Sequence, residues 1–179
     1  MVTVPCCTEC NNSQSRWDES FRVYLSLHVT RNAPNWRSLI DQNVLPTLNH
    51  NQRLKREVLA GAEDVLLKSP AGLDLGPAVQ LKWDGVVHDR VVERIVRGLH
   101  FHHTGEIVGD RADVRVQFLE GLDGVADAFA AFPILSLGAG QVLYKGIFSP
   151  LAPLRSAWVF EFMGWKWSSG YVEPLSNPV

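Results

Sequence analysis

At 179 residues, with 46% hydrophobic and 20% charged side chains, the chain has the length and apolar content of an ordinary globular domain rather than of a disordered polymer. Its net charge of −2 supplies no general basic field, so any contact with nucleic acid requires a local cluster of Lys and Arg. No apolar run approaches the roughly 20 residues that span a bilayer, and the opening MVTVPCCTEC lacks the charged and apolar segments of a secretion signal. The expectation is a cytoplasmic protein with reduced thiols and no membrane partner.

Residues 1–13 read as a cysteine knuckle, and residues 14–179 as a single α+β domain, helical to about residue 110 and mostly sheet after. Cys6, Cys7 and Cys10 fall within five positions and have no distant partner to bridge. By spacing, Cys7 and Cys10 form the pair and Cys6 is spare. After them Ser13 or Ser15 can cap a helix that carries Trp17, Phe21, Tyr24, Leu25 and His28 as one stripe. Asn32-Ala33-Pro34 breaks it. A second helix from Asn35 buries Trp36, Leu39 and Ile40 until Pro46 ends or bends it. Residues 51–65 read as a third helix, with Leu54, Val58 and Leu59 apolar between charges.

"SPAGLDLG" is a loop by its Pro and Gly content, and a short extended piece at residues 79–83 leads to Asp84, an N-cap candidate. The next helix has the strongest periodicity in the chain. Val87, Val91, Ile95 and Leu99 share one side, flanked by Val92 and Val96, and Thr104-Gly105 should close it. The pattern then changes. Residues 114–119 alternate as a strand, 122–132 are alanine-rich and helical, and 141–148 alternate again with Val142, Tyr144 and Phe148 on one side. Residues 155–167 point Trp158, Phe160 and Phe162 one way and Val159, Glu161 and Met163 the other. Between these two strands, residues 149–156 hold two prolines and read as too long for a tight hairpin. "WKWSSGYVEP" supplies an edge strand. Helices first and an antiparallel sheet last argue for α+β rather than βαβ alternation.

Cys-x-x-Cys places two thiolates on one tight knuckle, within reach of a tetrahedral zinc ion. Two thiolates are half of such a site. The run "VPCCTECNNSQSRWDESF", in which Cys7-x-x-Cys10 is followed at once by Asn11 and a helix, resembles the second knuckle of HNH-endonuclease-like bacterial proteins. "RIVRGLHFHHTGEIV", "VLYKGIF" and "SAWVFEFMGW" resemble later segments of the same family. The resemblance implies a nucleic-acid-associated protein of nuclease ancestry with an incomplete structural zinc site at Cys7 and Cys10. In that family the catalytic histidine and the first cysteine pair precede this knuckle, and no histidine or Cys-x-x-Cys precedes Cys7 here. The implied protein is a truncated relative without cleavage activity of its own.

Within the chain, "HFHHTGE" offers weak catalytic or metal candidates, His102 and His103. If the helix continues, His100 and His103 are i,i+3 neighbours, and His102 and Glu106 are i,i+4 neighbours. Such pairs chelate metals, while histidines at a helix end also hydrogen-bond terminal carbonyls. Arg90, Arg94 and Arg97 form a basic stripe that could meet the phosphates of DNA, or a solvated face offset by Asp89 and Glu93. Arg53, Lys55 and Arg56 form a second cluster with the same two readings. Trp158, Trp165 and Trp167 suit core packing better than base stacking. Were Trp158, Phe160 and Phe162 exposed instead, they would make a sheet face for a homodimer, and the alternative function is a non-enzymatic protein-interaction or assembly domain. Gly138-Ala139-Gly140 is not a phosphate loop, and no Gly-x-Ser-x-Gly, His-Glu-x-x-His or dinucleotide-binding pattern is present.

Overall fold

A computed structural model describes residues 8–28, 36–82, 84–109, 111–122, 125–138, 140–164 and 166–175. Helices come first and a five-stranded antiparallel sheet last, an α+β protein. The chain divides into two compact units, Arg22–Gly85 and Val86–Val179 with Met1–Phe21.

Helix α1 (Thr8–Leu27) begins several residues before either expected serine cap. Ser15 is already inside it, and its Oγ donates back to the Asn12 carbonyl at 3.0 Å. Of the expected stripe, Phe21 and Leu25 are buried and Trp17, Tyr24 and His28 half-buried.

In the Arg22–Gly85 unit, α2 (Trp36–Leu39) runs through a π turn (Ile40–Val44) into α3 (Leu45–His50). Pro46 therefore neither ends the helix nor simply bends it. Its ring and missing N–H disturb the ordinary i−4 ladder, and the widened turn absorbs this, with Leu45 N–H reaching back to Ile40 O. Asn51 caps α4 (Gln52–Ala60) by accepting from Leu54 N–H at 3.0 Å. Val23, Val44, Leu54 and Val58 make the core, with Tyr24, Leu27, Ile40, Leu48 and Leu81 packed around it.

The expected third helix stops at Ala60, not Val65. Gly61 closes it, and the chain turns directly into a hairpin of β1 (Ala62–Lys68) and β2 (Asp74–Leu81). What reads as a loop after Ser69 is the hairpin tip and the start of β2.

In the other unit, α5 (Gly85–Thr104) lies on a sheet ordered β3-β7-β6-β5-β4. Its strands are β3 (Ala112–Leu119), β4 (Leu135–Leu137), β5 (Val142–Ser149), β6 (Ala152–Phe162) and β7 (Lys166–Pro174), all antiparallel. Gly105, at φ 76°, ends α5 as the sequence predicts. Val87, Val91, Val92, Val96 and Leu99 are buried. The expected alanine-rich helix is only α6 (Ala126–Phe129) among the described residues.

Registers align Tyr144 with Phe160, Gly146 with Trp158, Trp158 with Gly170, and Phe160 with Ser168. Opposed residues share a face, so Trp158, Phe160 and Phe162 form the centre of one apolar layer. All three are almost completely buried, which removes the exposed row that a homodimer through this face requires. Two glycines set the spacing of the layer. A Cβ on Gly146 would strike the Trp158 ring, and one on Gly170 would strike Val96 Cγ2. The connection between β5 and β6 is shorter than expected. Ser149 pairs with Ala152 across a bulge, which leaves Pro150 and Leu151 at the turn.

Candidate functional site

Cys6 and Cys7 lie outside the described residues, and of Cys10 only the backbone is described, within the first turns of α1. Two thiolates leave a tetrahedral zinc two ligands short. No group of three or more His, Cys, Asp or Glu side chains able to hold a metal occurs among the described residues.

The helix α5 arginines diverge in role. Arg94 pairs with Asp18 of α1. Arg97 pairs with Glu93 at 2.8 Å and donates to the Val108 carbonyl at 2.9 Å, tying the helix to the segment that leaves it. Arg90 turns instead to Trp17, its guanidinium carbon 5.6 Å from the ring centroid, while Arg16 lies 4.4 Å from the same ring. Both arginines are exposed and Trp17 is half-buried. In the second cluster Arg53 pairs with Glu57 at 3.4 Å, and Arg56 donates to the Gln52 carbonyl.

The histidines of "HFHHTGE" do not converge. His100 is fully buried, with Nδ1 2.8 Å from Ser156 Oγ. That oxygen also accepts the indole N–H of Trp158 at 2.8 Å. Trp158 can only donate, and the hydroxyl keeps one proton and a second lone pair, so Ser156 can bond His100 Nδ1 with that nitrogen in either role. Nε2 has no hydrogen-bond partner of good geometry among the described residues, although the backbone at Pro153 favours a proton on the ring. His103 lies on the aromatic layer, its ring 5.1 Å from Phe148 and 5.3 Å from Trp158, with Nε2 3.2 Å from the Tyr144 hydroxyl. His102 is exposed beside it. Because α5 ends at Thr104, Glu106 is not on its helical face. The expected i,i+4 pair with His102 is not formed, and Glu106 faces Arg111 at 3.8 Å.

A second polar constellation escaped the sequence reading. His88, buried on α5, places Nδ1 2.8 Å from Asp89 Oδ1 and Nε2 2.7 Å from Ser168 Oγ on β7. A carboxylate only accepts, so Nδ1 carries the proton and Ser168 donates to Nε2. The order Asp–His–Ser and both distances match those of an acyl-transfer triad. Access does not. Ser168 is completely buried, and His88 lies between Phe21 and Phe118, at centroid distances of 6.3 and 5.9 Å. The hydroxyl cannot meet a substrate, so the array fastens helix to sheet. The residue pattern does hold a partial signal: His88 precedes Val91 and Val92 by one helical turn and so falls on the buried face.

Burial, the largest influence in each case, lowers the pKa of His88, His100 and His103. Asp89 opposes the shift at His88, and His102 reinforces it at His103.

No protein family, curated protein or solved structure matches this chain.

Proposed function

We propose that the chain is the C-terminal portion of an HNH-endonuclease-like, nucleic-acid-associated protein that does not cut nucleic acid on its own. The observation that carries the reading is the patch on α1 and α5, where Arg16 and Arg90 flank the half-buried ring of Trp17. Two exposed guanidiniums held against one aromatic ring offer phosphate contacts at a fixed spacing. Trp17 lies two helical turns beyond Cys10 on α1, the helix that already contains Cys10 and Asn11. Cys7 and Cys10 supply half of a structural zinc site in this reading, and the remaining ligands come from elsewhere. His102 and His103 have no catalytic role in it, since His103 is engaged by Tyr144 and the aromatic layer.

Titration of the purified protein with duplex DNA over about 50 to 200 mM salt tests it. Each phosphate contact contributes roughly 0.9 to the slope of log affinity against log salt, so Arg90→Ala should flatten the slope by about that amount. Incubation with Mg²⁺ or Mn²⁺ should leave the DNA intact. Absence of salt-sensitive binding defeats the reading. Specific cleavage abolished by His102→Ala or His103→Ala defeats the non-catalytic assignment.

A further inference from the structure

The hairpin β1–β2 is a two-stranded sheet on its own. Its hydrogen-bond phase follows from one contact. Lys82 N–H donates to Gly61 O at 3.1 Å, so residues 61 and 82 form a hydrogen-bonded pair. Such pairs alternate along an antiparallel ladder. With the observed register, Glu63–Gln80, Val65–Ala78 and Leu67–Gly76 are then the inward-bonding pairs. The backbone groups of Ala62, Asp64, Leu66 and Lys68 point away from β2. Pro77 gives an independent check, because a residue without N–H falls on an outward position of β2.

The two edges of the hairpin therefore differ. The outer edge of β2 is interrupted by Pro77. That of β1 presents an uninterrupted row of N–H and C=O groups, and no other strand pairs with it among the described residues. Leu66 is 57% exposed on this edge and Leu67 49%. Apolar side chains beside unpaired backbone are the features on which strands add.

The sequence of β1 also selects its complement. A second copy of β1, antiparallel across a two-fold axis, brings three or more of the outward residues into pairs in three registers. Centred on Asp64, it sets two carboxylates face to face. Centred between Asp64 and Leu66, it sets Asp64 against Leu66 and Lys68 against Ala62. Centred on Leu66, it places Leu66 against its own copy, Asp64 against Lys68 on both sides of the axis, and Val65 against Leu67 on the opposite face. Only this last register matches charge with charge and apolar with apolar throughout.

We propose that the outer edge of β1 is a self-association surface that pairs two copies of this chain in the Leu66-centred register, giving a four-stranded sheet β2-β1-β1-β2. The surface is independent of the Trp17 patch, and its test contains no nucleic acid.

Light scattering coupled to size exclusion, over a concentration series of the full chain, provides the assay. The wild-type mass should rise from 20.0 kDa toward twice that value. Leu66→Pro removes an outward N–H without touching a hairpin bond, and should hold the protein at 20.0 kDa. Lys68 also faces Asp74 of β2 at 3.8 Å. Lys68→Asp turns the two pairs across the axis repulsive and should raise the dimer dissociation constant by roughly tenfold, with Asp74→Asn in the same chain removing the repulsion inside the hairpin. The exchange Asp64→Lys with Lys68→Asp, compared in the same Asp74→Asn background, should restore association. If circular dichroism shows that Leu66→Pro does not fold, the two charge variants decide alone. A wild-type chain that stays monomeric overturns the proposal, as does a dimer indifferent to Lys68→Asp or an exchange that fails to rescue.

Discussion

Ser168→Ala is the most direct probe of how α5 is held to its sheet. The hydroxyl is completely buried and 2.7 Å from His88 Nε2. With Nδ1 committed to Asp89, Nε2 is an acceptor, and alanine takes away its Ser168 donor in a buried site. A buried polar atom stripped of its partner costs about 1–3 kcal/mol. Removal of a single oxygen leaves too little space for a water to replace it. For a chain of this size each kcal/mol corresponds to roughly 2–4 °C in midpoint, so a fall of about 2–12 °C is expected. Asp89→Asn sets the scale. The Asp89 side chain is 60% exposed, water competes for its bond, and asparagine can still accept from Nδ1–H, so its cost should stay under about 1 kcal/mol. Thermal and denaturant melts followed by circular dichroism measure both variants. A Ser168→Ala protein within about 0.5 kcal/mol of wild type, or one less affected than Asp89→Asn, would refute the assigned donor and acceptor roles.

Three further outcomes are expected. His88, His100 and His103 are neutral in the fold because burial lowers their pKa. As pH falls below the unfolded histidine value of about 6.5 the unfolded chain takes up protons that the folded chain refuses, and stability declines until the folded values are reached. Melting midpoints at pH 7.5 and 5.5 compare the two regimes, and a midpoint that rises on acidification contradicts the burial. Gly170→Ala forces a methyl group against Val96 Cγ2 and should cost about 1–3 kcal/mol. Val96→Ala in the same chain should recover part of that loss in a double-mutant cycle. Nitrogen chemical shifts should show Nδ1 protonated at His88, and the reverse pattern would break its serine assignment.

The parts of the fold legible in the sequence are those where one period persists. The Val-rich face of α5, from Val87 to Leu99, keeps one period for more than three turns, and Trp158, Phe160 and Phe162 alternate strictly; both appear as read. Errors fall where two periods meet. Leu54, Val58 and Leu59 carry a helical spacing up to Gly61, and the residues from Ala62 to Val65 beyond it can be appended to that helix although they begin a hairpin strand. Pro150 and Pro153 suggested a long connection, yet a bulge lets the ladder begin at Ala152. The polar sites were less legible because their geometry is tertiary. His88 and Ser168 are 80 positions apart, and His100 meets Ser156 across 56. Nor could spacing show that Arg94 would be drawn to Asp18 while Arg90 turned to Trp17.

Pro77 bears on what happens to this chain at high concentration. An isolated ribbon with two receptive margins would recruit neighbours on both sides and grow without limit, the course that leads to fibres. One imino acid at the middle of β2 takes an outward donor from that margin, which the margin of β1 keeps. If copies add through the margin of β1, the missing donor at Pro77 disfavours a further addition on the other side, and crowding should yield a species of fixed stoichiometry in place of a filament.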